Sequence, residues 1–309
     1  MYQKEISISE SNAIKGLAIL IIILHHFEQS CLSVDILNVF KAFGPVGCSA
    51  FFFISGYGLC MSKSEKKLEY WKRRLMKIWI PFILANIIYI NFNIGKISNI
   101  GDLILFVLGI KLINGHFWFI HALLFLYIGY ALSSKFKHNI IIYPVIFGVV
   151  YSVLTRSVGS ISWVAFPIGI SYAQHLGGKR NSPVPLSGSL MRILLYFCIP
   201  VFIISCSIYY TCSFMINNIL LFTNFLAMIV SAAFVFVVIR KYILSSKVLV
   251  YLGLHSIDYY LIHGLCLMCL LPFNYINHNI ILLYFMILVF ISSTIFGYIS
   301  SFVKNFFRL

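Results

Sequence analysis

Apolar residues in this chain fall in long unbroken runs separated by short polar loops. The runs lie at about 12–30, 43–61, 78–94, 116–134, 139–154, 160–176, 192–211, 217–239, 249–271 and 280–303. A helix needs about 20 predominantly apolar residues to cross the ~30 Å hydrocarbon core of a bilayer, and these runs reach or approach that length. They are continuous and do not alternate with a period of two, which favours helices over a membrane barrel. The pattern predicts an all-α polytopic membrane protein of about ten transmembrane helices. A further apolar segment at 102–113 is too short to cross and is expected as an interfacial or re-entrant helix. Residues 177–191, GGKRNSPVPLSGSLM, form the one loop rich in Pro, Gly and Ser. No loop has the size of a soluble domain, so residues 1–309 are expected to form a single membrane domain. The N-terminus lacks a small-x-small cleavage signal, which predicts that the first helix is retained.

Four polar clusters interrupt the apolar background. The first lies on residues 12–28, NAIKGLAILIIILHHFE. Lys15 and His26 are eleven residues apart, about three turns at ~3.6 residues per turn, so they share one helix face about 16 Å apart along the axis. His25 lies about 100° round from His26. Ionisable groups within a span are costly to keep in lipid and usually face a bundle interior or a water-filled cavity. A snorkelling lysine and an interfacial histidine pair would account for them plainly. The chemical reading is a general base on His26, because neutral imidazole can take a proton from a sugar hydroxyl. The second cluster, GPVGCSAFFFISGYG at 44–58, has small residues that let helix backbones approach closely or shape a cavity.

The third cluster is the most basic stretch, SKSEKKLEYWKRRLMK at 62–77, which places Lys72, Arg73, Arg74 and Lys77 shortly before Pro81. Arg74 and Lys77 stand at i and i+3 on one helix face. Topology alone explains such a stretch as simply as a clamp for an anionic ligand does; for a phosphate, Arg would supply a bidentate fork and Lys a point charge. The fourth, HSIDYYLIH at 255–263, would put His255, Tyr259 and His263 on one face at i, i+4 and i+8. Asp258 and Glu28 are the two acids placed within spans; each needs a partner, and Lys15 or a histidine is the candidate for Asp258. A metal centre needs three convergent ligands with a supporting shell. No spacing here announces one, so no metal is expected.

Composition agrees with the membrane reading. The 309 residues are 61% hydrophobic and 10% charged, with a mean hydropathy of +0.96, whereas a soluble chain is about a quarter charged. The net charge of +15 would suit a nucleic-acid partner, but the basic residues sit in short loops between apolar runs, so no nucleic acid is expected. On the ten-span arrangement, 19 of the 23 Lys and Arg residues fall on the N-terminal side and only Lys41, Lys96, Lys111 and Arg156 on the other. By the positive-inside rule both termini are expected in the cytoplasm. Most of the eight cysteines lie inside apolar runs, where Cys behaves as a small hydrophobe. Cys266 and Cys269 form a lone C-x-x-C within a span, and a Cys31–Cys212 disulfide is a weak alternative.

In this order the four clusters resemble the acyltransferase-3 family of integral membrane acyltransferases. Lys15-Gly16-Leu17-Ala18 with His26 is similar to that family's Arg-Gly-Leu-Ala-like start and the histidine eleven residues later, with Lys in place of Arg. Phe52-Phe53-Ile54-Ser55-Gly56-Tyr57 resembles its second-helix signature. Arg74-Leu75-Met76-Lys77 before Pro81 resembles its R-x-x-R-like motif, again with Lys for the second Arg. Trp118-Phe119-Ile120 resembles a Trp-Phe-Leu segment, and Leu252-Gly253 through Ser256 to Tyr260-Leu261-Ile262-His263 its late segment. The match is specific over 12–81, moderate over 115–130 and 252–263, and hydropathic elsewhere.

The resemblance implies an O-acyltransferase that moves acetyl from cytoplasmic acetyl-CoA to a hydroxyl of a surface polysaccharide or its lipid-linked precursor, in a bacterial inner membrane. No soluble C-terminal domain of the kind some members carry is expected. His26, Lys15 and His25 are the catalytic candidates, with His26 as base or proton relay. Arg73, Arg74, Lys77, Tyr57 and Ser55 are the candidates for acyl-CoA, Ser55 being the nucleophile if an acyl-enzyme forms. Trp118, His121, Tyr260 and His263 are the candidates for the acceptor. Membrane lipids are the remaining expected partner, and nothing in the residues sets an oligomeric state. A transporter or flippase for lipid-linked sugars is the competing class; a glycan polymerase is disfavoured because no long outer loop could hold a growing chain.

Overall fold

The computed structural model describes residues 5–30, 32, 34–62, 68–135, 139–155, 158–177, 188–212, 218–243 and 246–306. Among the described residues there is no strand. Twelve α-helices follow in order: α1 (Ile8–Glu28), α2 (Gly44–Met61), α3 (Leu68–Phe92), α4 (Ile100–Val107), α5 (Trp118–Lys135), α6 (Ile142–Thr155), α7 (Ala165–His175), α8 (Gly188–Cys212), α9 (Asn218–Ile243), α10 (Lys247–Leu254), α11 (Ser256–Leu270) and α12 (His278–Phe306). Short 3-10 turns connect some of them. Seven helical segments among the described residues are long and apolar enough to cross a bilayer: Ile8–Glu28, Gly44–Met61, Glu69–Phe92, Gly115–Lys135, Leu221–Arg240, Ser256–Phe273 and His278–Phe306.

The difference from the ten expected spans is local. The fifth appears as α6, only 14 residues long, or about 21 Å of helix. The sixth divides into a 3-10 segment, Val158–Val164, and the 11-residue α7. The seventh lies in α8, whose described apolar stretch is Tyr196–Ile208. The ninth breaks at His255, so α10 and α11 are separate helices. The segment expected at the interface forms α4, capped by Asn99, whose side chain accepts from the Asp102 N–H at 2.9 Å. Gly109 ends this segment at φ +69°, and a Cβ there would fall 2.2 Å from the Phe82 ring. A side chain is excluded at Gly109 by both the left-handed backbone and the neighbour. Cys31, of the possible disulfide, and residues 63–67 of the basic stretch lie outside the described residues.

The chain groups into two compact units, each assembled from separate segments. The first takes Met1–His25, Val39–Lys63 and Ala122–Leu254. Within it α2 packs along α7 and α9. Gly56 lies where a Cβ would come 2.1 Å from the Phe166 carbonyl oxygen, and Gly169 where one would come 2.1 Å from that of Phe53. The small residues of the second cluster therefore serve close helix approach, as they commonly do in membranes. The same device joins α1 to α10. A Cβ on Gly16 would lie 1.9 Å from the Leu249 carbonyl oxygen, and one on Gly253 would lie 1.7 Å from that of Asn12.

Buried polar groups fasten the start of α1. The Ser7 hydroxyl accepts from the Glu10 N–H at 3.2 Å while the Glu10 carboxylate accepts from the Ser7 N–H at 2.7 Å, a reciprocal capping box. Glu10 also lies 3.3 Å from the Arg240 guanidinium on α9, and both residues are buried. Arg240 donates to the Tyr172 hydroxyl at 3.3 Å, and Tyr57 accepts from the Ile6 N–H at 2.8 Å. The apolar run begins only at about residue 12 and leaves Glu10 outside it, but α1 begins at Ile8 and draws Glu10 into the interior.

The second unit takes His26–Asn38, Ser64–His121 and His255–Leu309. Here α3 packs on α4, α11 and α12, and α11 packs on α12. Its aromatic core includes Phe82, Tyr89 and Phe117, with the Phe117 ring centroid 5.5 Å from that of Phe82 and 5.0 Å from that of Tyr89. Glu28 is buried and accepts from the Val34 N–H at 2.8 Å, so it ties the chain leaving α1. Asp258 finds a histidine partner as expected, with His255 Nδ1 at 3.6 Å.

Two consequences are testable by thermal unfolding in detergent. Gly253→Val should destabilise the fold by about 2 kcal/mol or more, because the added atoms meet backbone that cannot rotate away. Glu10→Gln should cost about 3 kcal/mol by leaving Arg240 buried without its carboxylate, and adding Arg240→Met should recover most of that loss.

Candidate functional site

Three histidines from three separate segments meet within the second unit. His26 stands near the C-terminal end of α1, His116 on the 3-10 turn Gly115–Phe117 that leads into α5, and His263 on α11. Their ligating ring atoms all lie within 4.8 Å of one another. His116 Nδ1 and His26 Nε2 are 3.0 Å apart, and the two rings are nearly perpendicular with centroids 3.8 Å apart. The His263 ring stacks on that of His26 at 5.1 Å and stands 5.9 Å from that of His116. His263 is fully buried, whereas His26 and His116 are half-buried.

The surroundings fix these rings. Asn114 caps the turn that carries His116 by accepting from its N–H at 2.9 Å. Tyr260 donates its hydroxyl proton to the His116 carbonyl oxygen. His263 Nδ1 lies 3.2 Å from the carbonyl oxygen of Tyr259, one turn back on α11. A carbonyl only accepts, so Nδ1 carries a proton, and in the neutral ring Nε2 keeps the lone pair. The 3.0 Å contact between His26 and His116 likewise requires one N–H and one lone pair. Chemically the arrangement offers converging imidazole nitrogens, one ring fixed through its Nδ1 proton, and partial access.

The sequence-predicted residues divide clearly. His26 and His263 come together, with Tyr260 beside them, its ring 5.9 Å from that of His263. His116 was missed: it belongs to none of the motifs and lies 90 residues from His26 in sequence. Its visible signal is a histidine two residues before the Trp118-Phe119 pair, at the mouth of a span. The face expected for His255, Tyr259 and His263 does not form. The helix breaks at His255, whose side chain is 45% exposed while His263 is buried.

His25 and His121 do not join the three histidines. His25 Nδ1 donates to the Phe40 carbonyl oxygen at 2.9 Å, and its ring fills the space beside Gly44. His121 bonds the Gly109 carbonyl oxygen through Nε2, with its ring against Phe82. Trp118 is half-buried at the start of α5, its ring 6.3 Å from that of Phe119, and Phe119 in turn meets Tyr260 at 5.4 Å.

Among the donor candidates, Arg73 and Lys77 are exposed near the start of α3. Arg74 is half-buried and donates to the Tyr70 hydroxyl at 2.7 Å. Lys15, Ser55 and Tyr57 belong to the first unit; Lys15 and Ser55 are half-buried, and Tyr57 is buried.

Comparison with known proteins gives one match. The acyltransferase-3 family model, described as an acyltransferase domain, covers residues 8–303. No curated protein and no solved structure matches the chain. The matched region holds all three clustered histidines and every described span but the last residues of α12, and the chain belongs to the acyltransferase-3 family of membrane acyltransferases.

Proposed function

We propose that this acyltransferase moves an acetyl group from cytoplasmic acetyl-CoA to a hydroxyl of a cell-surface polysaccharide, or of its lipid-linked precursor, in the cytoplasmic membrane of a bacterium. The observation that carries this reading is the placement of His26, on the first membrane helix of an acyltransferase-family chain, inside a group of fixed imidazoles. The acceptor hydroxyl gives its proton to the imidazole as its oxygen attacks the thioester carbonyl carbon. The C–S bond then breaks, and the leaving thiolate takes the proton back. Positioned general-base catalysis of this kind contributes about 10² to 10⁴ in rate.

The remaining roles follow the chemistry of each side chain. Arg73 and Lys77, exposed on α3, carry charge suited to the phosphates of an anionic carrier, and Lys15 carries the same charge. Arg74, partly held by Tyr70, orients that end of the helix or shares the contact. Tyr57 and Ser55 serve the donor side, while Trp118, Tyr260 and His263 serve the acceptor side. His25 and His121 hold loop carbonyls and take no part in transfer. In the membrane, α6, the 158–175 segment and α8 add three crossings to the seven longer ones. Both termini then lie in the cytoplasm, a reading supported by the 19 of 23 basic residues on that side.

The test is the O-acetyl content of purified surface polysaccharide, read by proton NMR in wild type, a deletion, and the deletion complemented with His26→Ala. Acetyl signals should vanish in the deletion and stay at least about 100-fold down with His26→Ala at normal protein level. A fall in polysaccharide amount with unchanged acetylation would instead identify a transporter of lipid-linked sugars.

A further inference from the structure

The three-histidine group has a property that base catalysis does not require. A single base needs one lone pair. Here three imidazoles, drawn from segments far apart in sequence, direct ring nitrogens at one small volume. We propose that His26, His116 and His263 form a binding site for one divalent transition-metal ion of the Zn²⁺ class.

Four observations carry this. First, two zinc ligands at about 2.0–2.1 Å from a tetrahedral ion lie about 3.3 Å from each other. The His26 and His116 nitrogens are 3.0 Å apart, and the whole set falls within 4.8 Å. The widest separation exceeds that spacing by at most about 1.5 Å, which the rings would close by turning onto the ion. Second, ligating histidines typically donate their other ring N–H to a backbone carbonyl or carboxylate, which fixes the tautomer and aims the bare nitrogen. His263 does this through Nδ1 and the Tyr259 carbonyl. Third, His116 is held on both sides of its peptide, by Asn114 at its N–H and by Tyr260 at its carbonyl. That fastening positions a ligand in advance of the ion. Fourth, the donors are all imidazole, a set that suits Zn²⁺, Cu²⁺ and Ni²⁺ and is unsuited to Mg²⁺ or Ca²⁺, which take oxygen. Two of the three rings are half-buried, so an ion has a route in.

The spacing argument in the sequence points away from a metal because the three residues stand at 26, 116 and 263 and share no local motif. Only the fold assembles them. The site goes beyond the acyl-transfer reading and is read with neither donor nor acceptor present. When the ion is bound, it takes the lone pairs that would otherwise receive the hydroxyl proton.

The experiment uses the full-length protein purified in detergent with its affinity tag removed. Bound metal is measured by elemental analysis after equilibration with Zn²⁺, and coordination by the visible spectrum after equilibration with Co²⁺. Wild type should bind one equivalent saturably and give the intense absorption of four-coordinate Co²⁺. His116→Ala and His263→Ala should each weaken binding by about 100-fold or more, whereas His278→Ala, outside the group, should leave it unchanged. No saturable binding in wild type, a weak six-coordinate Co²⁺ spectrum, or undiminished binding in folded His116→Ala and His263→Ala would each overturn the proposal. The wild-type spectrum decides the matter even where a variant fails to fold. Acetyl transfer in the absence of any such site would leave the acyltransferase reading intact.

Discussion

A polar side chain on a membrane helix has to find its partner inside the protein, because hydrocarbon offers none. The first helix carries more of them than an anchor would tolerate, and the structure accounts for each by a specific contact or by access. Glu10 meets Arg240, His25 meets the Phe40 carbonyl, His26 meets His116, and Glu28 takes the Val34 N–H. Lys15 remains half-buried. These requirements fix which way α1 faces along its length. A helix that was only greasy could rotate freely; this one is held at intervals by charge and hydrogen bonding.

Close backbone approach is the second constraint, and it makes the first achievable. Gly16 against the Leu249 carbonyl and Gly253 against that of Asn12 bring α1 and α10 together without side chains between them. Gly56 and Gly169 do the same for α2 and α7. In lipid there is no hydrophobic force between helices, so packing of small residues and internal hydrogen bonds hold them. The chain then leaves helical geometry at His255, and α11 starts afresh with Asp258 in its first turn and His263 two turns further on.

Much of this was legible in the residues, and what was not has a common cause. The apolar runs announced the helices, the polar residues of the first run marked a helix with interior contacts, and the short run near 102–113 announced the short helix α4. The order of motifs announced the family. Properties that depend on residues distant in sequence stayed hidden. Glu10 precedes the first apolar run, and its partner, Arg240, lies at the far end of another helix. His116 matched no motif, since its role comes from meeting His26 and His263 in space. The shared face of His255, Tyr259 and His263 assumed an unbroken helix, whereas the chain breaks at His255 between α10 and α11. His25 and His121 were attractive as chemistry but are occupied by loop carbonyls, which hydropathy does not reveal.

The account turns on a chemical step at the imidazole group of α1, and the most direct measurement follows labelled acetyl itself. Purified protein in lipid nanodiscs would be given [¹⁴C]acetyl-CoA and surface glycan prepared from a strain lacking the protein. The account predicts label in the glycan with stoichiometric release of the CoA thiol, and a loss of about 100-fold or more in folded His26→Ala. Equal labelling by wild type and His26→Ala, or no thiol release in the presence of glycan, would contradict it.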